Sequence, residues 1–442
     1  MALSRIRAQH FGTSVAMEEI SMEEEALLIQ ESAGDLAEAE AEIEDAQELA
    51  DTSDALEDLA MVADGIDEAS ENEVALVEAG VQLATAGSDL EVEDVAPGLE
   101  SYVGRRISTE GIKETARAIY EAIIRAVKKF WEKIKAFFRK TVGTLANLRR
   151  SAEKLRQRAG ECHGKTSKEK QIEVGSEINS LSIDYKAPKT GKAIVDIIDG
   201  TGKLLECTLN GLNKDVADIG EKLADALNDF DADDASAAKA SLSKVCGAFG
   251  KTGSTNLPAS SSLTSVDTRY PAGTGIKYQV VKDIPGNRIL VITNPDRTST
   301  DPMATAAKLR GIKSHLANCT DKDKDPVTEA TISTVTPTEA EKLADKIIDI
   351  VATIAAFESG KGRKDADKAK ERVEKACAKA KERMEKVKAD DTGVISAYRA
   401  GLNLVPTFVH MSGQIPAQMT SVALAASRAA IVVANKSLSQ YH

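Results

Sequence analysis

Apolar residues in the first hundred positions fall at helical or heptad steps: Ile29, Leu36, Ile43, then Leu49, Leu56, Leu59, Ala63 and Ile66. That spacing predicts amphipathic helix rather than extended structure, and proline is absent until Pro97. The stripe is thin, so this arm is poorly placed to be stable alone. A denser pattern follows at Ile112, Ala116, Ile119, Ile123, Val127, Phe130, Ile134, Phe137, Thr141, Leu145 and Leu148. Every step is three or four residues, which predicts one long amphipathic helix or two joined near Gly143. Tyr120, Trp131 and Phe138 widen its apolar face.

Beyond residue 158 the pattern stays mostly helical. Val216, Ile219, Leu223 and Leu227 repeat at helical spacing, and residues 190–230 read as helix with breaks near Gly200 and Gly211. A Gly-, Ser- and Thr-rich linker runs from Gly250 to Asp267. Ile276, Tyr278 and Val280 then alternate, Pro285-Gly286-Asn287 turns, and Ile289 to Thr293 returns, which predicts a β-hairpin. Thr336-Pro337-Thr338-Glu339 is a capping box with proline at the first helical position. It opens a helix through Ile347, Ile350, Val351 and Ile354 that ends near Gly360. Residues 361–388 carry 12 basic and six acidic residues and few apolar ones, reading as a surface or coiled-coil helix. Helices near 394–404 and 417–438 complete the chain.

Charge changes the picture. Residues 1–100 hold 28 Asp and Glu against two basic residues, Arg5 and Arg7, and no lysine or arginine occurs between Arg7 and Arg105. The whole chain is −13, so this arm of about −26 is joined to a body of about +13. Residues 111–158 supply most of that excess, with 14 Lys and Arg against four Glu. Such asymmetry points to interaction or processing rather than to a fold.

A basic amphipathic helix admits three readings. It packs on the protein's own core with solvated lysines, it binds nucleic-acid phosphates through its cationic face, or it enters an anionic membrane surface with Trp131 at the acyl boundary. The residues for the latter two are Arg125, Lys128, Lys129, Trp131, Lys133, Lys135, Arg139 and Lys140. Nothing among them reads bases, so DNA contact would be independent of sequence.

Enzyme chemistry is not expected. Two near-misses of a phosphate loop end in Gly164-Lys165-Thr166 and Gly250-Lys251-Thr252, but their first glycine is replaced by Ala159 and Val245. The five cysteines are scattered and odd in number, which suits a reducing interior better than secretion. The five histidines are isolated, no Ser or Cys nucleophile signature occurs, and neither a metal nor a cofactor is expected. No apolar region follows Arg5 and Arg7 as in a signal peptide. Ser427 and Arg428 interrupt the late apolar stretch Val422 to Val433, so no membrane-spanning helix is expected.

The acidic arm, the junction Ile107-Ser108-Thr109-Glu110 and the aromatic-basic helix together resemble the internal head proteins of large contractile-tailed bacteriophages. In that family, internal proteins carry acidic propeptides, are packed into the prohead core and are trimmed by a phage prohead protease. The protease cuts after Glu, with a small or aliphatic residue two positions earlier. Carried onto this chain, the resemblance implies a cut after Glu110 in Ser108-Thr109-Glu110, before Gly111. Gly98, Leu99 and Glu100 form the next candidate. Ser21-Met22-Glu23, Ala46-Gln47-Glu48 and Ile66-Asp67-Glu68 also fit.

The resulting expectation is a mainly α fold: an acidic, helical and partly disordered propeptide, a long basic amphipathic helix, and a helical body with one small β-hairpin. The regions are 1–110, 111–158, 159–252, 253–335 and 336–442. The expected role is a structural virion protein, made as a precursor in the host cytoplasm and matured inside the phage head. Its expected partners are packaged double-stranded DNA, the prohead protease and other head or core proteins. Two alternatives stay open: an ejected protein acting on an anionic membrane through residues 111–142, and an assembly scaffold acting through its arm.

Overall fold

The computed structural model describes residues 22–64, 71–85, 109–229, 234–249, 262–263, 276–295, 304–306, 314–318, 325–384, 397, 400–402 and 404–442. Helices α1 (Met22–Asp64) and α2 (Glu71–Thr85) form the arm. They precede α3 (Thr109–Glu161), a single helix of 53 residues with no break at Gly143. The predicted three-four stripe of α3 is buried from Ile119 through Phe130, Phe137 and Leu148 to Leu155 and Ala159. At about 1.5 Å per residue α3 is about 80 Å long, and helices from both ends of the chain pack along it.

The body follows α3. Strand β1 (Gln171–Val174) and a 3-10 turn (Ser176–Leu181) lead to α4 (Gly191–Glu206), which Thr190 caps by accepting from the Ala193 N–H. A π turn at Cys207–Leu212 joins α4 to α5 (Asn213–Asp229). The predicted break near Gly211 is therefore this turn, whereas Gly200 lies inside α4 without one. Helix α6 (Ala235–Phe249) packs on α5. Strands β2 (Ser262–Leu263), β3 (Ile276–Ile284), β4 (Arg288–Pro295) and β5 (Ser314–Asn318) form one antiparallel sheet in sequence order. The predicted hairpin is its centre, and Asn287 (φ 57) and Gly286 (φ 77) supply the left-handed turn residues. The rest of the predicted 250–267 linker lies outside the described residues.

Strand β6 (Ala330–Ser333) pairs antiparallel with β1, closing a span of about 160 residues in sequence. The predicted capping box is present: the Thr336 hydroxyl accepts from the Glu339 N–H while Glu339 accepts from the Thr336 N–H. It starts α7 (Pro337–Ser359), and α8 (Lys361–Met384) follows immediately after Gly360. Helix α8 lies along α5, burying Ala366, Ala369, Val373, Ala376 and Cys377, while Arg372 pairs with Asp225 at 2.8 Å. Short α9 (Val405–Val409) and a π turn (His410–Gln414) lead into α10 (Ile415–Leu438). Most of the predicted 394–404 helix lies outside the described residues.

Buried apolar residues from Leu36 in α1 to Leu438 in α10 form one continuous core. Helix α10 is its inner element, buried on nearly every side. Ser412–Leu438 is long and apolar enough to cross a membrane by length and composition, but its apolar window is 72% buried inside the protein.

Candidate nucleic-acid interface and its acidic cover

Helix α1 runs antiparallel to α3. Asp45 meets Lys133 at 2.5 Å, Glu42 meets Lys133 at 3.4 Å and Lys140 at 2.7 Å, and the Glu38 carbonyl accepts from Lys140. Further along, Asp35 faces Gly143, where an added Cβ would lie 2.8 Å from its carboxylate. One buried stripe of α1 runs Ser32, Leu36, Ala39, Ile43, Ala46, Ala50 and Ser53, alternating in steps of four and three. Alternate positions are Ala or Ser, which lets the two helices approach closely. Leu49 and Leu56 complete the seal, and the Ser421 hydroxyl of α10 donates to Glu40 at 2.5 Å.

Magnitudes separate what holds the arm from what it neutralises. Four fully buried aliphatic side chains, Leu36, Ile43, Leu49 and Leu56, each contribute about 1.5–3 kcal/mol before ordering costs. Partly exposed ion pairs contribute about 0–1 kcal/mol each. The apolar stripe therefore fixes the arm, and the charges set where it sits. Lys140 and Lys133 beside Glu42 hold its carboxyl below the usual value, and bonding to Asp45 raises Lys133 above its own. The Glu42 contribution is thus complete above the unfolded carboxylate pKa and is lost as pH falls through the lower, folded one.

The predicted cationic residues do not form one face. Lys133 and Lys140 point at the arm. Arg125 lies 4.0 Å from Glu121 on its own helix, and Lys129 is half-buried. Lys128, Lys135 and Arg139 are exposed on another side and have no carboxylate partner among the described residues. Arg149, Arg150 and Arg156 extend that exposed side, with Arg149 bonded to Glu153 and Arg156 near Asp345. The arm thus covers one flank of the basic helix and leaves a second open.

Trp131 is 4% exposed and belongs to the core. Its ring meets Phe130 edge-on, and the Lys370 ammonium of α8 sits 3.7 Å from the indole centroid. Two turns later Arg363 covers Phe138 at 5.0 Å. Gly413 makes the opposite wall, because a Cβ there would lie 2.7 Å from Trp131 and 2.9 Å from Phe130. Burial pushes the Lys370 amine down to about 8, with Asp367 at 3.5 Å opposing the shift and Arg363 and Lys135 adding to it. Its folded pKa lies below its unfolded one, so the unfolded chain binds more protons between them. The Lys370 contribution to stability therefore rises from about pH 8 toward pH 10. Urea midpoints measured across that range should show the rise, and Lys370→Met should remove it.

The junction sits at the start of α3. Thr109, Glu110 and Gly111 occupy its first turn, whose amide groups lack intrahelical acceptors. Ser108 and the alternative Gly98-Leu99-Glu100 lie outside the described residues, as do Ser21 and Ile66-Asp67-Glu68. Ala46-Gln47-Glu48 lies within α1, with Ala46 buried against the body. Cys162, Cys207, Cys246 and Cys377 are free thiols, and burial pushes Cys246 and Cys377 up to about 12, away from reactivity. Among the described residues no group of three His, Cys, Asp or Glu side chains is placed to hold a metal.

Sequence reasoning identified the cations but not their partners. Glu40, Glu42 and Asp45 are three among 28 acidic residues in the first hundred, and no local signal distinguishes them. Lys370 and Arg363 were equally hidden within a charged helix. Comparison with known families decides the wider assignment: the model of the phiKZ-like phage internal head proteins matches residues 24–435. The chain belongs to that family. This internal head protein is a structural component located inside the phage head. The match takes in nearly all of α1, together with α2, α3 and the body as far as residue 435. No curated protein and no solved structure matches the chain.

Proposed function

We propose that the internal head protein is made as a precursor whose residues 1–110 are a removable acidic propeptide. The prohead protease cuts after Glu110, and residues 111–442 then associate with packaged double-stranded DNA without regard to sequence. The observation that carries this reading is the seating of α1 on α3, with Glu42 and Asp45 engaging Lys133 and Lys140. The cut falls in a terminal helical turn, the part of a helix that opens most readily to an extended-chain protease. After it, residues 111–442 carry 53 basic against 41 acidic residues, a net of +12.

Lys128, Lys135 and Arg139, joined by the uncovered Lys133 and Lys140, form the proposed phosphate contacts. Other head or core proteins are proposed as partners during assembly. The membrane reading is less favoured, because Trp131 is buried by the body, under Lys370 of α8 and against the Gly413 backbone. Binding of residues 111–442 to random-sequence duplex is the test. Five neutralised phosphates give a log–log salt slope of about −4.5; a flat salt response would contradict the reading.

A further inference from the structure

The arm does not cover the outer basic flank of its own α3. We propose that, in the precursor, this flank docks the acidic outer ridge of α1 from a second copy of the chain. The flank consists of Lys128, Lys135, Arg139 and Arg150, all exposed and without carboxylate partners among the described residues. It extends about 33 Å along the helix from Lys128 to Arg150. Lys128 and Lys135 are seven residues apart, so they share one helix face.

The complementary acidic surface is the exposed arc of α1 outside its buried stripe. Glu31, Glu38, Glu44 and Glu48 are exposed there and have no cation partner among the described residues. They span about 26 Å of helix, and Glu31 and Glu38 repeat the seven-residue spacing of the lysines. The inner carboxylates Glu42 and Asp45 are already committed to Lys133 and Lys140. The precursor thus has two exposed helical surfaces of opposite charge and comparable length. Each copy offers one donor and one acceptor face, so association extends from copy to copy or closes as a reciprocal pair.

Net charge does not forbid this contact. The precursor is −13 overall, but salt screens distant charges before it weakens contacting ones. Association is therefore governed by the two faces at moderate ionic strength. Removing residues 1–110 removes every acidic ridge at once, dissolving the contact and freeing the basic flank. The docking itself does not depend on DNA binding by the mature chain, and its test contains no DNA.

The experiment is sedimentation velocity of the full-length protein in about 0.1 M and about 0.5 M NaCl, where the screening length falls from about 10 Å to less than half of that. The expected mass is at least that of a dimer at the lower salt and of a monomer at the higher. Two full-length variants locate the contact: Glu31→Lys with Glu38→Lys, Glu44→Lys and Glu48→Lys, and Lys128→Glu with Lys135→Glu and Arg139→Glu. Each alone is expected to be monomeric at both salts, with helical circular dichroism unchanged. Mixing the two restores association, because the reversed ridge fits the reversed flank. A monomeric native precursor at the lower salt overturns the proposal, as do variants that associate like the native chain or fail to pair when mixed.

Discussion

Trp131→Ala lowers the unfolding free energy of the internal head protein by about 3–5 kcal/mol, measured by urea denaturation at neutral pH. The size follows from its position: the indole is 4% exposed, packs edge-on against Phe130 and presses on the Gly413 backbone. Losing it also strips the Lys370 ammonium of the ring that faces it at 3.7 Å, leaving a buried cation with Asp367 as its nearest counter-charge. Trp131→Phe keeps a ring there and should recover more than half of the loss. A Trp131→Ala protein as stable as the native chain would mean that the ring is not part of the core. The membrane reading of residues 111–142 would then regain its main anchor.

Removing the arm tightens binding to duplex DNA by at least an order of magnitude at about 0.1 M salt and steepens its salt dependence. With at most three available cations, Lys128, Lys135 and Arg139, for which a second copy's acidic arm competes, the precursor's log–log slope is no steeper than about −2.7. Release of Lys133 and Lys140 makes it about −4.5, since each neutralised phosphate adds about −0.9. The change from −13 to +12 in net charge adds attraction at long range. Glu42→Gln combined with Asp45→Asn separates these contributions: the arm stays seated on its apolar stripe while both lysines lose their carboxylate partners. That variant should bind DNA with a slope between the two limits, because Lys140 keeps its bond to the Glu38 carbonyl. Equal affinities and slopes for precursor and trimmed chain would remove the arm from any role as counter-charge.

Helix α3 was legible because its stripe is built of large residues repeating at three and four, a pattern that survives whatever it packs against. The capping box at Thr336 and the turn at Pro285-Gly286-Asn287 were legible for a local reason: their hydrogen bonds and dihedrals involve neighbours in sequence. The arm was only half legible. Leu36 and Ile43 mark its face, but Ala39, Ala46, Ala50, Ser32 and Ser53 are buried only because a second helix approaches closely. Small residues carry no such information by themselves.

The pairing of β1 with β6 was illegible for a related reason. Each strand is four residues long, and its partner lies about 160 residues away. The division of α3 into a covered and an open flank was also invisible, because Lys133 and Lys135 are two residues apart and chemically identical. Only the placement of α1 separates them. Trp131 shows the same limit in reverse, since an aromatic on a basic helix suits a core or a membrane until α8 and α10 are seen to enclose it.

On the proposed function, the acidic arm is a removable cover for the basic helix. Peptide mapping and N-terminal sequencing of this protein from purified mature particles test it most directly. The expected chain begins at Gly111, and peptides from residues 22–64 are absent. An intact chain retaining residues 1–110 in the mature particle would contradict it.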